Sequence, residues 1–408
     1  MIAVCVLCLI GPLAMTEVEA RWELASPMPT PRMDAASAVV GDTLYVIGGR
    51  QRAGGGSGTG DQGIDDAVEA YVPGENRWLE GLPLLPVPLA DMACAVIGQR
   101  IYLFGGTTVS NTVVNSVYSW RPGQGTWTVG PDTLPIPLRG ASALSPDGTT
   151  VLVMGGSDTA GSYVGSVLRF TPGTGFTSEP SLGQARSGAG AGLVDGKALI
   201  SGGYFHGPLS STELLTDGAW AGGPALPSAR GSALSCNDNA FTFLLGGQGA
   251  GAALDEVLSL ASAADAWLLR EPMIYARARH AGGVAGGYLI AAGGTGPVGY
   301  QATGTCERIT VAALASPDHE GPHASSPKLR VWPNPFNAGF EIAGDLNAEA
   351  PWVASVHTID GRLVGRSEGI SRIPVVRFRA GEDWPNGLYV VTIDANRLCL
   401  SRRLVRVR

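Results

Sequence analysis

Six times along this chain a short apolar run ends in two consecutive glycines. The runs close at Gly48-Gly49, Gly105-Gly106, Gly155-Gly156, Gly202-Gly203, Gly246-Gly247 and Gly293-Gly294, with steps of 57, 50, 47, 44 and 47 residues. An aromatic residue precedes each pair by 26 to 28 positions: Trp22, Trp78, Trp127, Phe176, Trp220 and Trp267. A period of this length marks an array of small supersecondary units, each unable to bury its apolar face alone. Within a unit the pattern reads as four strands. Ala36–Val40 turns at Gly41-Asp42 into Leu44–Gly49, Val68–Val72 follows, and a fourth strand carries the aromatic residue. The glycine pair supplies backbone freedom where a side chain would clash, and the indole covers a large apolar area between neighbouring sheets.

Composition agrees with an all-β chain. The 59 Gly and 28 Pro among 408 residues leave few uninterrupted stretches for helices, while 45% hydrophobic residues exclude a disordered chain. The net charge of −7 is uneven: residues 1–327 carry 16 basic and 27 acidic side chains, residues 328–408 carry 12 and 8. An acidic body argues against a nucleic-acid partner.

These units resemble the kelch repeat: the apolar run ending in Gly-Gly, an aromatic residue such as Tyr71 or Phe170 in strand three, Trp in strand four, and Pro29-Thr30-Pro31-Arg32 leading into the next strand. The resemblance covers 21–311 and implies a six-bladed β-propeller, a radial arrangement that leaves no long exposed sheet edge. The last unit has no Trp near Leu314, whereas Trp22 precedes the first inner strand. The N-terminal strand Arg21–Ala25 is therefore expected to complete blade six and lock the ring.

The chain ends read differently from its body. Ile2–Met15 is an apolar run too short to span a bilayer, and Val18-Glu19-Ala20 has signal-peptidase spacing, so residues 1–20 are read as a signal peptide and no stable transmembrane segment is expected. Cys94, Cys236, Cys306 and Cys399 are widely spaced, without metal-ligand pairing, and are expected to be lone thiols. Residues 312–327 read as a linker, and 328–408 as a small immunoglobulin-like β-sandwich with strands at Val353–Thr358, Val375–Phe378, Leu388–Ile393 and Leu398–Arg408. This segment carries Pro333-Asn334-Pro335, Asp360-Gly361-Arg362, Asn386-Gly387-Leu388-Tyr389 and a basic end, and so resembles the type A C-terminal sorting domain of the bacterial type IX secretion system. That resemblance implies export by the type IX machinery to the medium or outer-membrane surface of a Gram-negative-type bacterium.

Functional residues are sought at one mouth of the channel, because strand one begins and strand two ends at the same rim of an antiparallel hairpin. Sixteen residues before the Gly-Gly pairs stand Arg32, Leu89, Arg139, Arg186, Arg230 and Arg277. This rim also collects Arg50, Tyr204, His206 and His280. Guanidinium forks suit carboxylate, sulfate or phosphate, but a recurring Arg equally suits bonds to loop carbonyls that tie the blades together. The stretch from Arg50 to Ile64, with Gly54-Gly55-Gly56, reads as a mobile flap on that rim and not as a phosphate loop. No metal, cofactor or catalytic constellation is expected. The reading is a secreted, non-catalytic module binding a protein or glycan. The enzyme alternative is a sialic acid mutarotase, in which Arg32 or Arg277 would hold the sugar carboxylate beside a proton-transfer group.

Overall fold

The computed structural model describes residues 21–51, 63–238, 240–262, 264–296 and 301–315. Beyond these it describes Trp384 and the C-terminal strands given below. Residues 21–315 form six four-stranded antiparallel sheets, one per repeat. Blade one orders Ala36–Val40, Thr43–Ile47, Val68–Val72 and Arg77–Leu79 from first strand to fourth, and blades two to five repeat that order. Blade six takes three strands, Ala281–Ala285, Tyr288–Ala292 and Cys306–Thr310, from the end of the array and its fourth, Glu23–Ala25, from the beginning. The closing register pairs Glu23 with Arg308, Leu24 with Glu307 and Ala25 with Cys306. Arg308 reinforces it, donating from Nε to Glu23 Oε1 at 2.7 Å.

Apolar clusters fill the spaces between adjacent blades. One joins Ala36 and Ile47 of blade one to Leu103, Trp120 and Trp127 of blade two. The strand-four indoles add a directional bond to this burial. Trp78 donates to the Ser26 carbonyl at 2.7 Å, Trp127 to Pro83 at 3.0 Å, Trp220 to Pro180 at 3.0 Å, Trp267 to Pro224 at 3.0 Å and Trp22 to Glu271 at 2.9 Å. Each acceptor follows the fourth strand of the preceding blade. Phe176 has no N–H, so blade three is joined to blade two without this bond.

The geometry explains the paired glycines. Gly155 and Gly156 have φ of 63° and 103°. A Cβ on Gly155 would lie 2.4 Å from the Arg186 carbonyl oxygen of the next blade, and one on Gly156 would lie 3.0 Å from the Cβ of Ala141. Both the conformation and the approach exclude a side chain.

The described body extends past Val311. Val311–Ala315 forms one helical turn, and Leu314, 1% exposed, joins the core cluster of Trp22. Residues 316–327 of the expected linker, the signal segment 1–20 and the flap residues 52–62 lie outside the described residues.

The C-terminal segment forms two antiparallel sheets. Leu329–Trp332, Gly339–Gly344 and Val375–Arg379 make one; Leu363–Ser371, Ala350–Thr358, Gly387–Ala395 and Leu398–Arg406 make the other. Phe378 of the first sheet meets Gly365 of the second, where a Cβ would lie 3.0 Å from its ring. Trp384 stacks on the buried Tyr389 with centroids 5.4 Å apart. Gly387 opens one strand, whereas Pro333, Asn334, Pro335 and Gly361 lie outside the described residues.

Candidate functional site at the channel mouth

The start of strand one and the end of strand two do meet at one rim. Arg50, Thr107, Ser157, Tyr204, Gln248 and Thr295 pair with Met33, Ala90, Arg139, Ser187, Gly231 and Ala278. The recurring Arg side chains, however, turn into the blades. Arg32 donates to the Gly48 carbonyl at 2.9 Å and to Glu69 at 2.5 Å; Arg186 donates to Gly202 at 2.9 Å and Glu213 at 2.7 Å. Arg230 does the same with Gly246 and Glu256, and Arg277 with Gly293 and Glu307. All four are 1% exposed, so their guanidinium groups present no surface to a ligand. Of the two roles open to them, the geometry gives them the tie to loop carbonyls.

Arg139 is a different case. The amide of the second glycine in each blade donates to one carbonyl of the next blade, and these carbonyls belong to Leu89, Leu138, Arg186, Arg230, Arg277 and Arg32. Leu138, not Arg139, is therefore the counterpart of Arg32. Blade three has a hairpin one residue longer, Ser142 pairing with Met154 where Ala36 pairs with Ile47, so a count of sixteen lands one residue late. In blades two and three the Arg is replaced by buried Leu89 and Leu138. The strand-three positions that hold Glu69, Glu213 and Glu307 elsewhere hold Tyr118 and Leu168 there. Blade five departs from this exchange: Leu258 holds the equivalent strand-three position, and Arg230 pairs instead with Glu256 just before the strand. Arg139 is half-buried beside the mouth.

Two residues beyond each of these positions the chain makes a closed ring that has no signature in the sequence. Asp34 N donates to Arg279 O, Arg279 to Ser232, Ser232 to Gly188, Gly188 to Gly140, Gly140 to Asp91 and Asp91 to Asp34, all at 2.8 to 3.0 Å. All six residues are left-handed, with φ between 51° and 62°. Ala35, Met92, Ala141, Ala189, Ala233 and His280 form the next tier, and the two tiers line an open cavity of about 170 Å³.

The mouth is electrically lopsided. Asp34 Oδ2 lies 3.2 Å from Arg279 Nη1 and 3.1 Å from Arg50 Nε, and Arg50 also pairs with Asp91. Arg50 is thus buried as a bridge between two carboxylates. Burial, then the charge of Asp34, pushes the Asp91 carboxyl up to about 7 against the pull of Arg50, Arg279 and Arg139. Asp34 holds the Arg279 guanidinium more firmly protonated than usual. Burial, with Arg277 beside it, drives His280 well below the ordinary imidazole value; the neutral ring lies under the mouth, 6% exposed.

In the opposite half the ring residues themselves are uncharged, Gly140, Gly188 and Ser232, and the nearest charge is the half-buried Arg139 beside Gly140. Tyr204 leans over this half, since a Cβ on Gly231 would lie 2.3 Å from its ring, and burial raises its pKa. Phe205 and His206 follow at 4.6 Å between centroids, and Tyr163 of the neighbouring blade stands 5.6 Å from each. His206 is exposed and left-handed at φ 58°. Of the residues expected at the rim, Arg50 and His280 stand against the left-handed ring and Arg139, Tyr204 and His206 lie around its other half, whereas Asp34, Asp91 and Arg279 were not among those expected.

Burial also raises the thiols of Cys94, Cys236 and Cys306 to about 12, and all three are free. No group of three metal-ligating side chains occurs among the described residues.

The fold and its repeat define a class, a six-bladed β-propeller carrying kelch motifs. The Kelch motif family model matches residues 31–81 and 88–133. The chain is similar to Kelch repeat and BTB domain-containing protein 2 of cowpox virus (strain Brighton Red), 34% identical over 20% of this chain and 13% of the relative. It is likewise similar to human Kelch-like protein 25, 30% identical over 24% of this chain and 17% of the relative, and to Beta-scruin of Limulus polyphemus, 31% identical over 22% and 9%. The matched segments thus span less than a fifth of these relatives. The solved structure of YjhT shares the fold, with a TM-score of 0.59 at 16% identity over 70% of this chain and 97% of that one.

Proposed function

We propose that the chain is a secreted or cell-surface kelch propeller that binds a protein or glycan at this channel mouth without transforming it. One observation carries the reading: six residues of four chemical kinds share one left-handed conformation in a closed ring. The fold thereby supplies a rigid frame on which side chains can differ. A charged residue such as Asp34, Asp91 or Arg279 at a position that favours glycine costs backbone strain of roughly 1–2 kcal/mol. Strain of that kind concentrates at ligand clamps.

Export is part of the proposal, with residues 1–20 as the signal and 328–408 as a type A sorting domain read by the type IX machinery. The short apolar run and the basic, detachable C-terminal unit support it. No helix among the described residues is long and apolar enough to cross a membrane.

A second reading, a sugar mutarotase acting on sialic acid, is favoured by Asp91. It is an acid that titrates near neutrality, set among Arg50, Arg139 and Arg279. Such a group suits proton transfer beside an anionic sugar. The full chain should bind a ligand in a glycan-array and surface-protein pull-down screen, and leave the anomeric exchange of N-acetylneuraminate unaccelerated. Clear acceleration would overturn the non-catalytic reading in favour of the second.

A further inference from the structure

The half of the mouth whose ring residues are uncharged, with Arg139 only at its border toward Asp91, is built for a different ligand from the ion-paired half. Around blades six, one and two, Arg279, Asp34, Arg50 and Asp91 already neutralise one another at bonding distance. A charged ligand there must displace an existing partner. Blades three to five place two glycines and one serine in the ring, above Ala141, Ala189 and Ala233, so this half is open and small-walled. At its edge the rings of Tyr163, Phe205 and His206 meet edge-on or tilted, with centroids 4.6 to 5.6 Å apart, and Phe205 remains 38% exposed. The turn that presents them is tight: Phe205 N donates to Gly207 O at 2.9 Å, with His206 left-handed between them. Tyr204 continues this ledge toward the ring, near Ser232 and within electrostatic reach of Tyr163, Arg279 and Asp34.

We propose that the ledge of Tyr163, Phe205 and His206, with the Gly140–Gly188–Ser232 half of the ring, is a subsite for a neutral pyranose. A pyranose offers an apolar C–H face that rests on an aromatic ring and a rim of hydroxyls that both donate and accept. The ledge supplies rigid aromatic faces with polar tips. The hydroxyls of Tyr204 and Ser232 supply uncharged partners that can both donate and accept. Few orienting polar groups beside an apolar wall is the usual make-up of a small-molecule site.

The inference rests on the mouth being the binding site, and the test separates the two. Affinity electrophoresis of the full chain is run in gels containing galactomannan, xylan or dextran, and N-acetylneuraminate binding is measured by calorimetry. At least one neutral polysaccharide should retard the protein. The retardation constant should weaken at least about tenfold in Tyr163→Ala/Phe205→Ala and in Phe205→Leu, which keeps apolar bulk without the aromatic face. It should persist in Leu268→Ser, an exposed strand-four site of blade five. Failure of all three polysaccharides to bind, or binding indifferent to both ledge variants, overturns the subsite. Binding of N-acetylneuraminate alone, lost in Arg279→Gln, overturns the neutral-sugar inference while leaving the mouth as the binding site.

Discussion

Arg277 Nη2 lies 2.6 Å from Glu307 Oε1, with 1% and 0% of the two side chains exposed. Glu307 also accepts from the Ile274 amide at 2.6 Å, so it joins its own blade to the segment that enters it. Glu307→Ala leaves a buried guanidinium uncompensated and should destabilise the propeller by about 3–5 kcal/mol. The paired change Arg277→Leu/Glu307→Leu should cost clearly less, because blade three already closes with Leu138 and Leu168. Chemical denaturation of the three proteins decides it; a double variant as unstable as the single one would refute the exchange of ion pair for apolar pair.

The two left-handed glycines Gly155 and Gly173 separate conformation from crowding. At Gly173, φ is 79° and a Cβ would meet nothing within 4 Å, so Gly173→Ala should cost about 1–2 kcal/mol from backbone strain alone. Gly155→Ala carries that strain and also drives a Cβ to 2.4 Å from the Arg186 carbonyl oxygen. Its melting temperature should fall well below that of Gly173→Ala, and equal losses would mean that the close approach relaxes freely.

Strands and closure were legible because Gly-Gly is required by contacts that recur in every blade and the strand-four Trp by a contact that recurs in five of the six. Trp22 could be assigned to blade six from spacing alone. The mouth was less legible for two physical reasons. A single extra residue in the blade-three hairpin moved Arg139 into a position belonging to Leu138, which spacing cannot detect. The ring residues share a backbone conformation and nothing else, so Asp34, Gly188 and Arg279 have no common letter to find. The interior bonds of Arg32 were foreseen as one of two roles, and burial separated them.

Closure rests on Trp22, which is 5% exposed in a core cluster with Leu245, Leu289 and Ile309. Trp22→Ala should cost about 3–5 kcal/mol, as large aromatic truncations in a core do. Trp220→Ala should cost less, since that ring is only partly buried. The opposite ranking in thermal melts would show that the N-terminal strand contributes little to closing the ring.

Asp91 makes stability depend on pH in a defined sense. Its carboxyl is pushed up to about 7 in the fold, first by burial and then by Asp34, from an unfolded value near 4 (about 3.9). The folded state therefore binds this proton more tightly. Its contribution is full below about pH 4 and is lost as pH rises through about 7. The melting temperature should fall more steeply between pH 5 and 8 in the natural protein than in Asp91→Asn. Parallel profiles would remove Asp91 from this account.

The central claim, that ligand binds at the ring of left-handed residues, is tested most directly by side-chain changes that leave the frame intact. Arg279→Gly and Asp34→Gly suit φ values of 57° and 54° and remove only the side chains. Arg279→Gly should fold with undiminished stability by thermal melt. Asp34→Gly also withdraws one of the two partners of buried Arg50 and should melt lower while still folding, because Asp91 keeps its pair. Both should lose the glycan-array or pull-down signal that the natural protein gives. Val129→Ser, at an exposed strand-four position of blade two, should keep it. A signal unchanged in both mouth variants would contradict the claim.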